Sequence, residues 1–102
     1  MVDRIFQALA DRTRRDIVRR VIEQEQSVSR LADDYAMSFA AVQKHVAVLE
    51  KAGLVTKERR GREQIVRGDV GTVRQAGAVL EQYEHLWRQR ISAVDSLLAE
   101  DD

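Results

Sequence analysis

The C-terminal third of the chain carries the apolar pattern that most constrains how it can fold. From Val70 to Leu98, apolar residues recur at alternating steps of three and four, which forms a heptad seam with one polar member, Glu84. The spacing predicts one long helix, and Asp69 stands where it can cap the first turn. A chain of 102 residues buries a modest core, so it cannot cover the whole stripe by itself. We therefore expect a second surface to pack against this helix.

Length and composition predict one domain that spans residues 1–102, with residues 70–99 as its long helix. The sequence contains no catalytic constellation, no glycine-rich phosphate loop and no paired-histidine motif. We expect neither enzymatic activity nor a cofactor. A signal peptide, cysteine and any apolar run near about 18 residues are also missing, which favours a cytoplasmic protein without a membrane segment.

The charges balance overall but are unevenly distributed. Lysine plus arginine and aspartate plus glutamate each total 17. The segment Arg12–Arg20 has five arginines against one aspartate, and Lys57–Arg67 has five cations against two glutamates. The segment from Glu81 to the C-terminus is acidic. The two basic segments are candidates for contact with an acidic partner, although solvation of a helix face explains the first equally well.

The first part of the chain has the periodicity of short helices. We predict helix 1 at about Asp3–Ala10, helix 2 after an N-cap at Asp11, a loop over residues 23–26 and helix 3 at Val28–Tyr35. The residues expected to face inward are Ile5, Phe6, Leu9, Ile17, Val18, Val21, Ile22, Val28, Leu31 and Tyr35.

Clear signals bound a fourth helix. Ser38 can cap its start, and Gly53 can adopt the left-handed conformation that ends a helix. Between them, Val42, Val46 and Leu49 have the spacing of a face that packs on the core.

The outward side of helix 4 is suited to the major groove of DNA. It keeps small and polar residues where a merely soluble helix would usually have glutamate and lysine: Phe39, Ala40, Gln43, Lys44 and Ala47. Small side chains let the helix backbone enter the groove, Gln43 can bond an adenine edge, and Lys44 can meet a guanine or a phosphate. The residues predicted to contact DNA from this helix are Ser38, Phe39, Ala40, Gln43, Lys44 and His45.

After residue 53 the helical period gives way to alternation. Leu54–Arg59 and Glu63–Arg67 flank Arg60-Gly61-Arg62, which predicts a β-hairpin with a cationic turn. Two strands alone are marginal, so the hairpin must lean on the helices. Arg60 and Arg62 are either solvated turn residues or contacts to phosphates and a narrow minor groove, and their place beside a groove helix favours the second.

The order of these elements predicts a mainly α fold with a β-hairpin wing. The short turn Ala36-Met37-Ser38 between helices 3 and 4 is typical of the bihelical DNA-binding motif. We therefore predict a winged helix-turn-helix with a long C-terminal dimerisation helix.

Four segments, in order and correctly spaced, make the chain resemble the ArsR-type winged-helix transcriptional repressors over nearly its whole length. They are FQALADRTRRDIV, SVSRLADDYAMS, AAVQKHVAVLEKAGLV and KERRGREQ. The resemblance implies a homodimer that binds a palindromic operator in double-stranded DNA, with the first and last helices at its interface and an effector that releases DNA. Together with the heptad seam, it assigns to the interface Phe6, Leu80, Trp87, Ile91 and Val94.

The chain departs from the family members that sense metals. Those members often carry a Cys-x-Cys pair at the start of helix 3, where this chain has Ser27-Val28-Ser29, and a serine hydroxyl cannot supply a thiolate. Another family site uses Asp and His ligands on the last helix. Here Glu81 and His85 stand one turn apart without a further histidine or aspartate nearby. We expect no metal site and a solvated His85, and leave open a weak site between subunits.

Three residues keep two interpretations each. His45 lies between the groove face and the core, where it can contact a phosphate or bond a backbone carbonyl. Trp87 is either a core residue of one subunit or an anchor between two, and the heptad favours the anchor. Phe6 is also suited to the core of its own subunit.

Together these patterns predict a dimeric, sequence-specific DNA-binding repressor that places two copies of helix 4 in successive major grooves, roughly 34 Å apart. The alternative is a winged helix used as a protein-interaction module, with the long helix as its coiled-coil contact. An acidic wing and a glutamate-rich helix 4 would favour that alternative. The polar face of helix 4 and the arginines of the hairpin favour DNA.

Overall fold

The computed structural model describes residues 2–100, which form five helices and one antiparallel sheet of three short strands. In chain order these are α1 (Val2–Leu9), α2 (Arg12–Glu23), β1 (Gln26–Ser27), α3 (Val28–Asp33), α4 (Phe39–Lys51), β2 (Val55–Arg60), β3 (Glu63–Gly68) and α5 (Val70–Glu100). The predicted class, mainly helical with a hairpin wing and a long last helix, is confirmed.

One apolar core joins the helices to the hairpin. Its buried members are Ile5, Ala8, Ile17, Val18, Val21, Val28, Leu31, Val42, Val46, Leu49, Ala52, Leu54, Val55, Val66 and Ala76. Phe6, Leu9 and Tyr35 are partly buried against this cluster. The predicted inward face is wrong for Ile22, which is 43% exposed. This side chain covers the backbone at Gly68, where an added Cβ would come within 2.5 Å of Ile22 Cγ1.

Capping side chains set where the helices begin. The Asp11 carboxylate accepts a hydrogen bond from the Arg14 backbone N–H at 2.9 Å. The hydroxyl oxygens of Ser27 and Ser38 each accept one from the backbone N–H three residues later, at 3.1 Å. Each bond satisfies an N–H group that the first turn of a helix leaves without a partner. The predicted caps at Asp11 and Ser38 are confirmed.

Two predicted boundaries are wrong. Helix α3 ends at Asp33, not Tyr35, because the N–H groups of residues 34 and 35 bond to carbonyls three residues earlier in a tighter turn. The predicted loop over residues 23–26 contains the last residue of α2 and the first of β1. Strand β1 pairs with β3 through Gln26–Val66 and Ser27–Ile65.

The hairpin is tighter than predicted. Arg60 pairs with Glu63 across the ladder, so the loop consists of Gly61 and Arg62 alone. Gly61 has φ +61° whereas Arg62 has a negative φ, which is the sign pattern of a type II′ turn. Arg60 therefore belongs to β2 and not to the turn.

The end of α4 lies next to the start of α5 in space, although the hairpin separates them in sequence. Gly53 has φ +81°, and the N–H groups of Gly53 and Leu54 bond to carbonyls of the last turn of α4 at 3.0 Å each. This is the Schellman pattern, and it confirms the predicted helix end. A Cβ on Gly53 would lie 3.3 Å from Thr72 Oγ1, and the Asp69 N–H donates to the Leu54 carbonyl at 2.9 Å.

Helix α5 touches the core with its first turns only. The Asp69 carboxylate accepts from the Thr72 N–H at 3.2 Å, which confirms the predicted cap. Val73 and Ala76 pack on the core, but every side chain over residues 80–99 is exposed. At about 46 Å, α5 accounts for most of a molecule that measures 71 × 25 × 22 Å. The predicted seam is thus a solvent-exposed stripe in the single chain.

Candidate nucleic-acid interface

Helix α4 presents its polar face to solvent because its opposite face is fixed in the core. Val42, Val46 and Leu49 are at most 1% exposed, which sets the rotation of the helix. Gln43 and Lys44 are consequently exposed, and neither side chain makes a hydrogen bond or ion pair with any residue in the range 2–100. Ser38, Phe39 and Ala40 are also exposed at the start of the helix, whereas Ala47 is half-buried. The predicted outward residues therefore lie together on one accessible surface.

His45 lies at the border of this surface. Its Nδ1 is 3.4 Å from Arg14 Nη1 and 3.9 Å from Asp11 Oδ2. The predicted bond to a backbone carbonyl is absent within the described residues, and the contact with phosphate remains a prediction. The pKa of Asp11 is lowered, first by the backbone hydrogen bond from Arg14 and also by the His45 ring.

Two arginines of the basic segment Arg12–Arg20 have a structural role that its charge count did not predict. Arg14 Nε donates to the Ala8 carbonyl at 2.7 Å, and Arg15 Nη1 donates to the Leu9 carbonyl at 2.8 Å. These carbonyls belong to the last turn of α1, where a helix leaves acceptors without partners and attracts cations. Both side chains therefore fasten α1 to α2.

Arg20 and Tyr35 connect α2 to the turn that precedes α4. Arg20 Nη2 donates to Asp34 at 2.7 Å and to Gln26 at 2.8 Å, and its guanidinium lies 5.3 Å from the centre of the Tyr35 ring. The Tyr35 hydroxyl donates to Asp16 Oδ2 at 2.5 Å. This bond lowers the pKa of Asp16, while burial and the same contact raise the pKa of Tyr35.

The arginines of the wing are largely paired. Arg60 donates to Glu25 at 2.7 Å and to Glu58 at 3.1 Å. Arg67 donates to the same two glutamates, at 2.9 and 3.1 Å. The four side chains form a neutral cluster on one face of the sheet, called here the wing cluster. The hydrogen bond from Arg60, with that from Arg67, lowers the pKa of Glu25.

Because of the wing cluster, only some cations of the hairpin are free to bind an acidic partner. Lys57 also has a carboxylate partner, Glu50 of α4, at 3.3 Å. Arg59 and Arg62 are exposed and have no ion pair among residues 2–100. Arg60 and Arg62, both predicted to contact DNA, therefore differ in the structure, because Arg60 is already bound by carboxylates and Arg62 has no ion pair among residues 2–100. Their contact with DNA remains a prediction.

The predicted interface residues of α5 are exposed in the single chain. Leu80, Trp87, Ile91 and Val94 range from 44 to 60% exposed, with Trp87 the most exposed of the four. The interpretation of Trp87 as a core residue of its own chain is therefore wrong. Phe6 is half-buried against its own core, and its place in an interface remains a prediction.

Within the part of the chain that the structure describes, no three metal-binding side chains come together, and Glu81 and His85 are both exposed. No helix over the same residues is long and apolar enough to cross a membrane.

Comparison with known proteins supports the arrangement of these elements. A family model for a helix-turn-helix domain matches residues 9–58. An HTH-type transcriptional regulator of Mycobacterium tuberculosis is 42% identical over 67 residues, which cover 66% of this chain and 63% of that protein. The match thus spans less than two thirds of the length of this relative.

Two solved structures extend the similarity into α5. An ArsR-like transcriptional regulator from Rhodococcus superposes with a TM-score of 0.79 at 30% identity, covering 94% of this chain and 91% of that one. A homodimeric winged helix-turn-helix DNA-binding domain from Mycobacterium bovis superposes with a TM-score of 0.67 at 25% identity, covering 81% and 78%.

Proposed function

The chain belongs to the ArsR family of winged helix-turn-helix DNA-binding transcriptional regulators, and we propose that it is a repressor that binds a palindromic operator as a homodimer. The observation that carries this proposal is the outward face of α4. Gln43 and Lys44 project from it, small residues flank them, and no protein group within residues 2–100 bonds to either side chain.

The α4 face supplies sequence readout. A glutamine amide matches the paired donor and acceptor on the major-groove edge of adenine, and a lysine matches guanine or a phosphate. Ser38, Phe39 and Ala40 lie at the end of the helix that enters the groove first, and His45 borders the face. In the wing, Arg62 contacts phosphate or the minor groove with its full charge, whereas Glu25 and Glu58 already neutralise part of the charge of Arg60.

The exposed stripe of α5 supports the homodimer. Most of the stability of a helix in a protein comes from packing of its apolar face, yet α5 continues for about 20 residues beyond its contacts with the core. A second copy provides the same apolar stripe, and a two-fold axis lets each stripe cover the other. The winged helix-turn-helix domain from M. bovis, a structural relative, is homodimeric. Leu80, Trp87, Ile91 and Val94 form the centre of the interface, with Phe6 of α1 beside it.

The dimer gives the operator its symmetry. Two copies of α4 related by a two-fold axis enter successive major grooves, roughly 34 Å apart, so each half-site is read by one subunit. A dimer bound across a promoter represses by blocking access of the polymerase.

The proposal is tested first by identifying the DNA. The purified protein is mixed with fragments of its own genome, and the retained fragments are sequenced and footprinted. We expect a shared inverted repeat whose half-sites are about one helical turn apart. Fragments without a common sequence would contradict specific binding, and a single unrepeated site would contradict the symmetric dimer.

Trp87→Glu then tests whether dimerisation and DNA binding are linked. A charge in a desolvated contact should cost several kcal/mol, shift the protein to monomer, and weaken operator binding in parallel. Light scattering and an operator titration measure the two effects. The matched control is Ala78→Glu, which places the same charge on the exposed opposite side of α5. A Trp87→Glu protein that stays dimeric with full affinity would refute this interface.

A further inference from the structure

A shallow, open cleft on the outer side of α2 has four charged side chains among its lining residues. Its volume is about 550 Å³, and its lining residues are Arg12, Thr13, Arg15, Asp16, Arg19 and Tyr35. Clefts of this size bind small ligands in many proteins. None of these residues belongs to the α4 face or the wing cluster, so the cleft is a separate feature of the surface.

The cleft has more hydrogen-bond donors than acceptors. Its one carboxylate, Asp16, already accepts from Arg19 at 2.9 Å on Oδ1 and from the Tyr35 hydroxyl at 2.5 Å on Oδ2. Arg15 uses one N–H for the Leu9 carbonyl and keeps its other donors. The Arg12 side chain donates to no other group within residues 2–100. An excess of guanidinium groups is suited to an oxyanion.

Arg12 stands where α2 disfavours a cation when no anion is bound. Arg12 and Arg15 are three residues apart, so two like charges are neighbours on one helix face, whereas Arg19 is paired with Asp16 and Glu23. Arg12 and Arg15 also lie in the first turn, where the helix dipole disfavours cations. Local choices that oppose folding are expected at functional sites.

We propose that this cleft binds a phosphate group, held by Arg12 and Arg15 beside the Tyr35 ring. A phosphate offers several acceptor oxygens to forked guanidinium donors. The group is carried either by a small phosphorylated molecule or by the backbone of bound DNA, and the second source rests on the proposed function. Tyr35 lies in the turn between α3 and α4.

The first experiment contains no DNA. The full chain is titrated with inorganic phosphate at constant ionic strength, with chloride as the reference anion, and backbone amide shifts are followed by NMR. We expect saturable shifts centred on residues 12–19 and Tyr35, an affinity about tenfold weaker in Arg12→Gln, and no change in Arg74→Gln. Arg74 is an exposed arginine on α5, outside the cleft.

The second experiment identifies the source of the phosphate. Binding to a random duplex is measured across salt concentrations for the wild type, Arg12→Gln and Arg74→Gln. A slope of log K against log salt that falls by about 0.9 in Arg12→Gln alone assigns the group to DNA. If the slope of Arg12→Gln is unchanged but free phosphate binds in an Arg12-dependent way, the phosphate group is assigned to a small molecule.

The proposal is overturned if phosphate produces no saturable shifts and the salt slope of Arg12→Gln equals that of the wild type. It is also overturned if phosphate binds equally well to Arg12→Gln, which would mean an adventitious ion only. Failure of the operator experiments would leave the phosphate titration unaffected, so the two proposals fail separately.

Discussion

The sequence predicts that helix α4 and the wing both contact DNA. Their polar side chains differ in the structure in whether they already have partners within the protein. Gln43 and Lys44 extend from α4 without a protein partner in residues 2–100. Arg60 and Arg67 of the hairpin are each bound to two glutamates. Because carboxylates already neutralise part of the charge of these guanidinium groups, each gains less from a phosphate contact than an unpaired cation does. The two elements therefore differ in the free energy they gain from the same partner.

This difference between α4 and the hairpin shows that the number of basic residues in a segment is a poor measure of how much positive charge is free to bind DNA. The segment Lys57–Arg67 is cationic when its own residues are counted, but Glu25, from outside that segment, neutralises part of it. The face of α4 has fewer charges, and Lys44, its one permanent cation, has no carboxylate partner among residues 2–100. We therefore expect α4 to supply specificity and the wing to supply a small, salt-dependent contribution.

The largest effect is expected at α4. Gln43→Ala should weaken operator binding by about 1 to 3 kcal/mol and leave binding to random DNA nearly unchanged, because a contact to a base edge is lost and no phosphate contact is removed. Parallel titrations with both duplexes measure the difference. Gln75→Ala, at an exposed position of α5, is the control. Equal losses on the two duplexes would show that Gln43 does not read sequence.

A smaller effect should separate the two arginines of the wing. Arg62→Ala should reduce the slope of log K against log salt by about 0.9, the value for one lost phosphate contact. Arg60→Ala should reduce it by less than half as much, because Arg60 is already bound by Glu25 and Glu58. Equal reductions would mean that the wing cluster opens without cost when DNA binds.

Glu25→Gln tests the wing cluster from its other side. Loss of this carboxylate should free part of the bonding capacity of Arg60 and Arg67 and so raise affinity for random DNA modestly, with a steeper salt dependence. Salt titrations of Glu25→Gln beside Glu23→Gln, which alters a glutamate paired with Arg19 outside the wing, measure the change. Weaker binding in Glu25→Gln would indicate that the cluster holds the wing in its binding conformation.

The smallest effect is a pH dependence of stability. The pKa of Glu25 is lower in the folded protein than in the unfolded chain, chiefly because of the bond from Arg60. Its contribution is therefore present above the unfolded pKa and is lost as pH falls through the folded pKa. We expect chemical denaturation to show a stability gap between the wild type and Glu25→Gln at neutral pH that closes in acid. A gap independent of pH would mean that the charge of Glu25 is not its source.

Much of the fold was predictable because its signals are local. Asp11, Ser38, Gly53 and Asp69 cap helices through bonds that span only a few residues, and each is where the sequence placed it. Strand β1 was missed because two residues cannot show alternation. Its pairing depends on β3, far along the chain.

The candidate site was predictable in part for the same reason. The outward face of α4 follows from helical spacing, so the accessibility of Gln43 and Lys44 could be derived. The partners of Arg60 and Arg14 could not be derived. Glu25, the partner of Arg60, lies 35 residues away in the sequence. The partner of Arg14 is the backbone carbonyl of Ala8, and the type of a residue does not show that its carbonyl is an acceptor. Which residues touch DNA or the second subunit remains a prediction.

The joint between α4 and α5 gives the molecule a mechanical property. A Cβ on Gly53 would lie 3.3 Å from Thr72 Oγ1, and the Asp69 N–H donates to the Leu54 carbonyl at 2.9 Å, so the end of α4 and the start of α5 lie close together. Helix α5 then acts as a lever: a tilt of about 5° at this joint moves its far end by roughly 4 Å. In the proposed dimer the α5 helices of the two subunits pack against each other. A small change in the angle between α4 and α5 therefore alters the distance between the two copies of α4. We therefore expect the half-site spacing that the proposed dimer accepts to depend on this joint as well as on the residues predicted to contact DNA.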